Sequence, residues 1–155
     1  MEGQKSQKGA KSFVMRRKIY QQLLDWKEKR NGEVALLIEG ARRIGKSYIV
    51  EAFGKKEYKS YLLIDFNKAP EMVREWFDLY LEDLDTLFLY LSQHYKVRLH
   101  ERNSLIILDE IQLCPRARAA IKFLVADGRF DYIETGSLVS IKKNTRSIVL
   151  PSEER

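Results

Sequence analysis

The sequence predicts a three-layer α/β/α fold around a mostly parallel sheet, and three observations carry that expectation. Short apolar runs alternate with stretches of helical periodicity along the chain. The segments joining successive runs are too long for hairpins, so each return is a crossover and neighbouring strands run parallel. The first apolar run opens into a glycine-containing loop and then a helical pattern, the order in which a strand delivers a loop to a helix N-terminus.

The elements follow in order. Met1 to Ser12 is polar and lysine-rich, and residues 1–15 read as a basic flexible tail ahead of one domain over residues 16–155. Between Lys18 and Arg30, Ile19, Leu23 and Trp26 recur at helical spacing, and Asn31-Gly32 ends the helix. Val34 to Ile38 is a continuous apolar run, which suits a strand covered on both faces. Helical spacing resumes from Ser47 to Phe53. Ser60 to Phe66 reads as a second strand, closed by the turn signals from Asn67 to Pro70. Two amphipathic helices follow, one carrying Met72, Val73, Trp76, Phe77 and Tyr80, the other Leu84, Leu87, Phe88, Leu91 and Tyr95. Ser104 to Asp109 is the third strand. Pro115 starts a helix that runs to about Ala126 and stops at Asp127-Gly128. Asp131 to Thr135 is a brief fourth strand running into Gly136-Ser137.

Composition narrows the class. A chain of 155 residues, 45% hydrophobic and 32% charged, has the make-up of one globular domain. No apolar run approaches the roughly 20 residues of a membrane span, so no membrane partner is expected. The net charge of +6 suits phosphates as well as nucleic acid, and much of the excess lies near the N-terminus. Cys114 is the only cysteine and has no internal partner, which fits a reducing cytoplasm.

The chemistry is carried by three short segments. Gly40-Ala41-Arg42-Arg43-Ile44-Gly45-Lys46-Ser47 matches the phosphate-binding loop pattern and lies between an expected strand and an expected helix. Its glycines allow the backbone to wrap phosphates, with N–H groups around Ile44, Gly45, Lys46, Ser47 and Tyr48 aimed at them from a helix N-terminus. Lys46 places a point charge on the outer phosphates, and the Ser47 hydroxyl can ligate Mg²⁺. ATP and Mg²⁺ are therefore the expected ligands of residues 40–48.

Leu105 to Glu110 ends an apolar strand in adjacent carboxylates, at the strand end that faces ligand in open α/β sheets. Strand alternation assigns them different work: Asp109 to the Mg²⁺ shell and Glu110 to a water beside the γ-phosphate. Alone, such a pair also fits a helix start; the loop at Gly40 is what selects the catalytic reading. Thr135-Gly136-Ser137 is ordinary turn chemistry too, but at the end of the fourth strand Thr135 could set a hydroxyl between the γ-phosphate and the attacking water. Asp65 closes the second strand on the same edge, as a neighbour of Asp109 or as a plain strand terminus. His94, His100 and Cys114 have no metal-site spacing.

These residues carry a family resemblance. The run Leu37 to Ser47, with Leu105 to Gln112 and Thr135-Gly136-Ser137, resembles the AAA-14 ATPases of bacteria and archaea over residues 16–155. The resemblance implies a nucleotide site at residues 40–47, a metal at Ser47 and Asp109, a catalytic carboxylate at Glu110 and a sensor at Thr135, with turnover of ATP to ADP and phosphate. It also implies a C-terminal region, often regarded as nuclease-like, so the chain is expected to be truncated after the ATPase core.

The expected strand order is 2-3-4-1, and the resemblance implies a further core strand beside the first, expected to be missing here. Only Ser147 to Leu150 could attempt that strand, and Pro151 soon interrupts it. The Val34 to Ile38 strand would then be an open apolar edge, with the chain self-associating or only marginally stable and residues 138–155 poorly ordered or folded back over that edge. Two rival functions are a non-hydrolysing ATP-binding or nucleic-acid-binding module and a P-loop kinase for a small metabolite. Arg116 and Arg118 are candidates to supply a catalytic arginine, in cis or to a neighbour.

Overall fold

Three buried side chains explain where the first helix packs. Ile19, Leu23 and Trp26 recur on one side of α1 (Glu2–Arg30), and Trp26 Nε1–H donates to the Val34 carbonyl at 2.9 Å, fastening the helix to the entry of the first strand. A computed structural model of the chain describes residues 2–40, 46–137 and 145–149, with side chains over residues 14–40 and 47–137. The backbone of α1 is helical from Glu2, where a flexible tail over residues 1–15 was expected. Lysine, glutamine and alanine are good helix formers and no proline intervenes, so the helix extends beyond its buried stripe.

The remaining elements alternate as their apolar patterns require. They are β1 (Ala35–Glu39), α2 (Lys46–Glu57), β2 (Ser60–Asp65), α3 (Glu71–Leu79), α4 (Leu84–Tyr95), β3 (Ser104–Asp109), α5 (Pro115–Asp127), β4 (Asp131–Gly136) and β5 (Thr145–Val149). A single 3-10 turn, Ile111–Leu113, links β3 to α5. Local signals set the helix ends. Asp83 caps α4 by accepting from the Thr86 N–H, Pro115 opens α5, and Gly128 closes it at φ +80°, a conformation that glycine adopts without strain.

Alternation along each strand sorts the side chains onto two faces. Ala35, Leu37, Leu62, Ile64, Ile106, Leu108 and Tyr132 join one cluster with α3, α4 and α5. Leu36, Ile38, Leu105, Ile107 and Ile133 join a second with α1 and α2. The sheet is thus covered on both sides, which is why β1 and β3 are apolar over most of their length. At the end of the strands away from their C-termini, Asp131 pairs with Arg102 at 2.7 Å and accepts from the Tyr58 hydroxyl at 2.5 Å. Burial, and then the Asp131 charge, push the Tyr58 phenol far above its ordinary range.

All strand pairs are parallel, in the order β2-β3-β4-β1-β5. The expected order 2-3-4-1 is present. The expected missing strand and open β1 edge are corrected: β5 pairs with β1 along its whole length, from Ala35 with Thr145 to Glu39 with Val149. The physical reason lies in where β5 begins. It starts at Thr145, two residues before the segment judged able to pair, so five residues join the ladder before Pro151 and its missing N–H are reached. Removing residues 138–155 is therefore expected to bare β1, raise the light-scattering mass on size exclusion, and lower the melting temperature by more than about 5 °C. An unchanged mass and melting temperature would show that β5 adds little to the sheet.

Candidate functional site

The C-terminal ends of β3 and β4 converge on the first turn of α2. Ser47, one residue into α2, donates its hydroxyl to Asp109 Oδ1 at 2.9 Å across 62 residues of sequence. The Thr135 hydroxyl donates to the same Oδ1, and Thr135 Oγ1 accepts from the Glu110 N–H at 3.2 Å. Thr135 is fully buried, and Asp109 and Glu110 are each 7% exposed, so these bonds are made largely out of water. Strand pairing supports them: β4 lies between β1 and β3, and Thr135 is in register with Ile38. The first-turn N–H groups of α2 have no partner within the helix and give this end a partial positive charge suited to anions.

Glu110 is directed by a turn rather than by strand alternation. β3 ends at Asp109, and Glu110 takes a left-handed conformation, φ +57° and ψ +52°, before the 3-10 turn. That corrects the alternation argument; the Asp109 carboxylate accepts from Ser47 and Thr135, and the Glu110 carboxylate from Gln112. For a residue with a Cβ this conformation costs on the order of 1–3 kcal/mol, and it is found where surrounding bonds enforce it. Two such bonds come from Glu110 itself: its N–H to Thr135 and its carbonyl, which accepts the Leu113 N–H at 3.0 Å. A third comes from Gln112, whose Nε2 donates to Glu110 Oε1 at 2.7 Å and lies 3.4 Å from Ser137 Oγ. Arg74 of α3 steadies the turn by donating to the Leu113 carbonyl at 2.7 Å.

Other expected site residues fall as follows. Gly40 directly follows β1. Ala41, Arg42, Arg43, Ile44 and Gly45 lie outside the described residues, and Lys46 is placed as the first residue of α2 with its side chain outside them. Tyr48 is in the same first turn and is 70% exposed. Asp65 is in register with Asp109, but its carboxylate accepts the Asn67 N–H at 2.9 Å and so closes its own turn. Arg116 pairs with Glu71 at 2.8 Å and Asp78 at 3.4 Å, and Arg118 pairs with the fully buried Glu134. Both candidate arginines are thus engaged within the chain.

His94 packs edge-on to Trp76 and Tyr95, and Cys114, the residue just ahead of α5, is buried in the core. Among the described residues no three His, Cys, Asp or Glu side chains cluster as a metal site, and no helix is long and apolar enough to cross a membrane. Sequence reasoning assigned no role to Gln112 or to the Arg118–Glu134 pair. The glutamine closes the Leu105 to Gln112 segment that carries the resemblance, so its position was visible and its contact was not.

A search of curated proteins finds no match. Among solved structures, the chain is similar to C. elegans PCH-2 at 14% identity and a TM-score of 0.47; the match covers 92% of this chain and 41% of that one. The chain therefore spans less than half the length of that relative. A family model described as an AAA domain matches residues 32–151, from the turn ahead of β1 to just past β5, and the chain belongs to that family, AAA-14, of nucleotide-binding ATPase type.

Proposed function

We propose that this domain binds ATP with Mg²⁺ and hydrolyses it to ADP and phosphate. The observation that carries the reading is the meeting of Ser47, Asp109 and Thr135 at the N-terminus of α2. A hydroxyl 2.9 Å from a carboxylate oxygen is a hard-oxygen pair, and it fits an ion that keeps several waters and takes other oxygens from substrate phosphates. Ser47 and Asp109 would hold Mg²⁺, which supplies charge neutralisation to the β- and γ-phosphates.

The remaining roles belong to the chain's own groups. The loop over residues 40–48 holds the phosphates, with Lys46 on the outer ones. The Glu110 carboxylate takes a proton from water as the water oxygen bonds to the γ-phosphorus. The bond to the β–γ bridging oxygen breaks, and its electron pair leaves on ADP. Thr135, fixed between Asp109 and the Glu110 N–H, holds the base and the metal ligand in mutual register.

The first test is binding. Lys46→Ala is expected to weaken ATP affinity in calorimetry by roughly 10- to 100-fold, the share of a charge-assisted contact to the outer phosphates. Equal affinity in the two proteins would sink the assignment of the loop. The second is phosphate release from the purified chain, expected with Mg²⁺ and absent with excess chelator.

A further inference from the structure

We infer that Gln112 is a positioning residue for Glu110, and that Gly136 lacks a side chain in order to admit it. The inference deepens the reading of Glu110 as the base and rests on it. Gln112 follows Glu110 by two residues in the 3-10 turn, and its Nε2 donates to Glu110 Oε1 at 2.7 Å. The same nitrogen approaches Ser137 Oγ at 3.4 Å, so the amide bridges the turn after β3 and the residue after β4.

The other end of the amide decides between positioning and an incidental neighbour contact. Gln112 Oε1 is buried and has no hydrogen-bond partner among the described residues. A reversed amide would set that oxygen against the Glu110 carboxylate, whereas the observed orientation donates to it. Donation to Glu110 is the interaction that selects the pose.

Gly136 supplies the independent observation. A Cβ built there would stand 2.6 Å from Gln112 Oε1, while the next nearest atoms, Gln112 Cδ and Ile111 Cγ2, are at an ordinary 3.6 Å. Gly136 does not have a positive φ, so its backbone would accept alanine. Among the described residues, the Gln112 amide is the group that a Cβ at 136 would displace. An alanine at 136 would displace the amide, which is the movable end of a flexible side chain, and leave the strand in place.

The experiment compares Gln112→Leu, Gly136→Ala and the double variant with the wild-type chain for kcat, Mg·ATP affinity and melting temperature. Each single variant is expected to lose roughly 10- to 100-fold in kcat, the scale of a misplaced catalytic group. Affinity and melting temperature should hold, because the phosphate and metal contacts are untouched. The double variant should be no slower than the slower single one, since both act through one contact. Wild-type kcat in Gly136→Ala or Gln112→Leu would overturn the inference while leaving the hydrolysis reading intact. Multiplying losses in the double variant would also overturn it, because Gly136 would then act by another route. A wild-type chain that binds Mg·ATP and never releases phosphate would overturn the hydrolysis reading, and this inference with it.

Discussion

Glu110→Gln is expected to keep Mg·ATP bound and to lower kcat by about a hundredfold to ten-thousandfold, the contribution of a positioned general base. The amide fills the same space and can still meet Gln112, so binding and melting temperature should change little. Its oxygen cannot take the proton that water must release. The left-handed backbone at Glu110, held through its N–H to Thr135 and its carbonyl to Leu113, does not depend on the side-chain charge. Single-turnover phosphate release with nucleotide binding measured in parallel separates the effects. Turnover at the wild-type rate would mean that another group accepts the proton.

Phe53→Ala is expected to destabilise the domain by about 3–5 kcal/mol. Phe53 is fully buried in α2 and meets Tyr20 of α1 edge-on at 5.4 Å and Tyr58 at 5.8 Å. It is the wedge that seats α2 against both α1 and the sheet. Against a typical total stability of about 5–15 kcal/mol, the loss would bring the chain close to unfolding at moderate temperature. Nucleotide held at about 100 times its Kd adds about 2.7 kcal/mol to a state that alone binds it, so Mg·ATP should restore more than half of the loss. Chemical denaturation with and without nucleotide checks both parts. A loss below about 1 kcal/mol would show that α1 and α2 close over the vacated space.

The readable parts of the sequence were those in which one physical demand dominates. β1 and β3 are buried on both faces, so their runs are apolar without interruption and stand out. Ser47, Asp109 and Thr135 lie where a strand end or helix start fixes direction, and the structure brings the three together. β5 was harder, because Thr145-Arg146-Ser147 carries little apolar signal and its pairing depends on β1 waiting beside it. Glu110 was misdirected for a similar reason. A left-handed turn is signalled by glycine or asparagine, and here a glutamate takes it because its neighbours hold it. The role of Gln112 depends on that turn and on the bare Cα of Gly136, two features that meet only after folding.

The division of the core by the sheet has a consequence for how such a domain can diverge. Asp109 and Thr135 meet Ser47 on the side of α1 and α2, where the proposed grip on the phosphates would lie. The turn carrying Glu110 and Gln112 belongs to the other side, through Ile111 in the α3–α5 cluster and Arg74 on the Leu113 carbonyl. In the proposed function, grip and water activation would therefore rest on different packing units. Substitutions among α3, α4 and α5 would then retune the proposed turnover, or answer to a new neighbour, while the proposed hold on nucleotide is inherited unchanged.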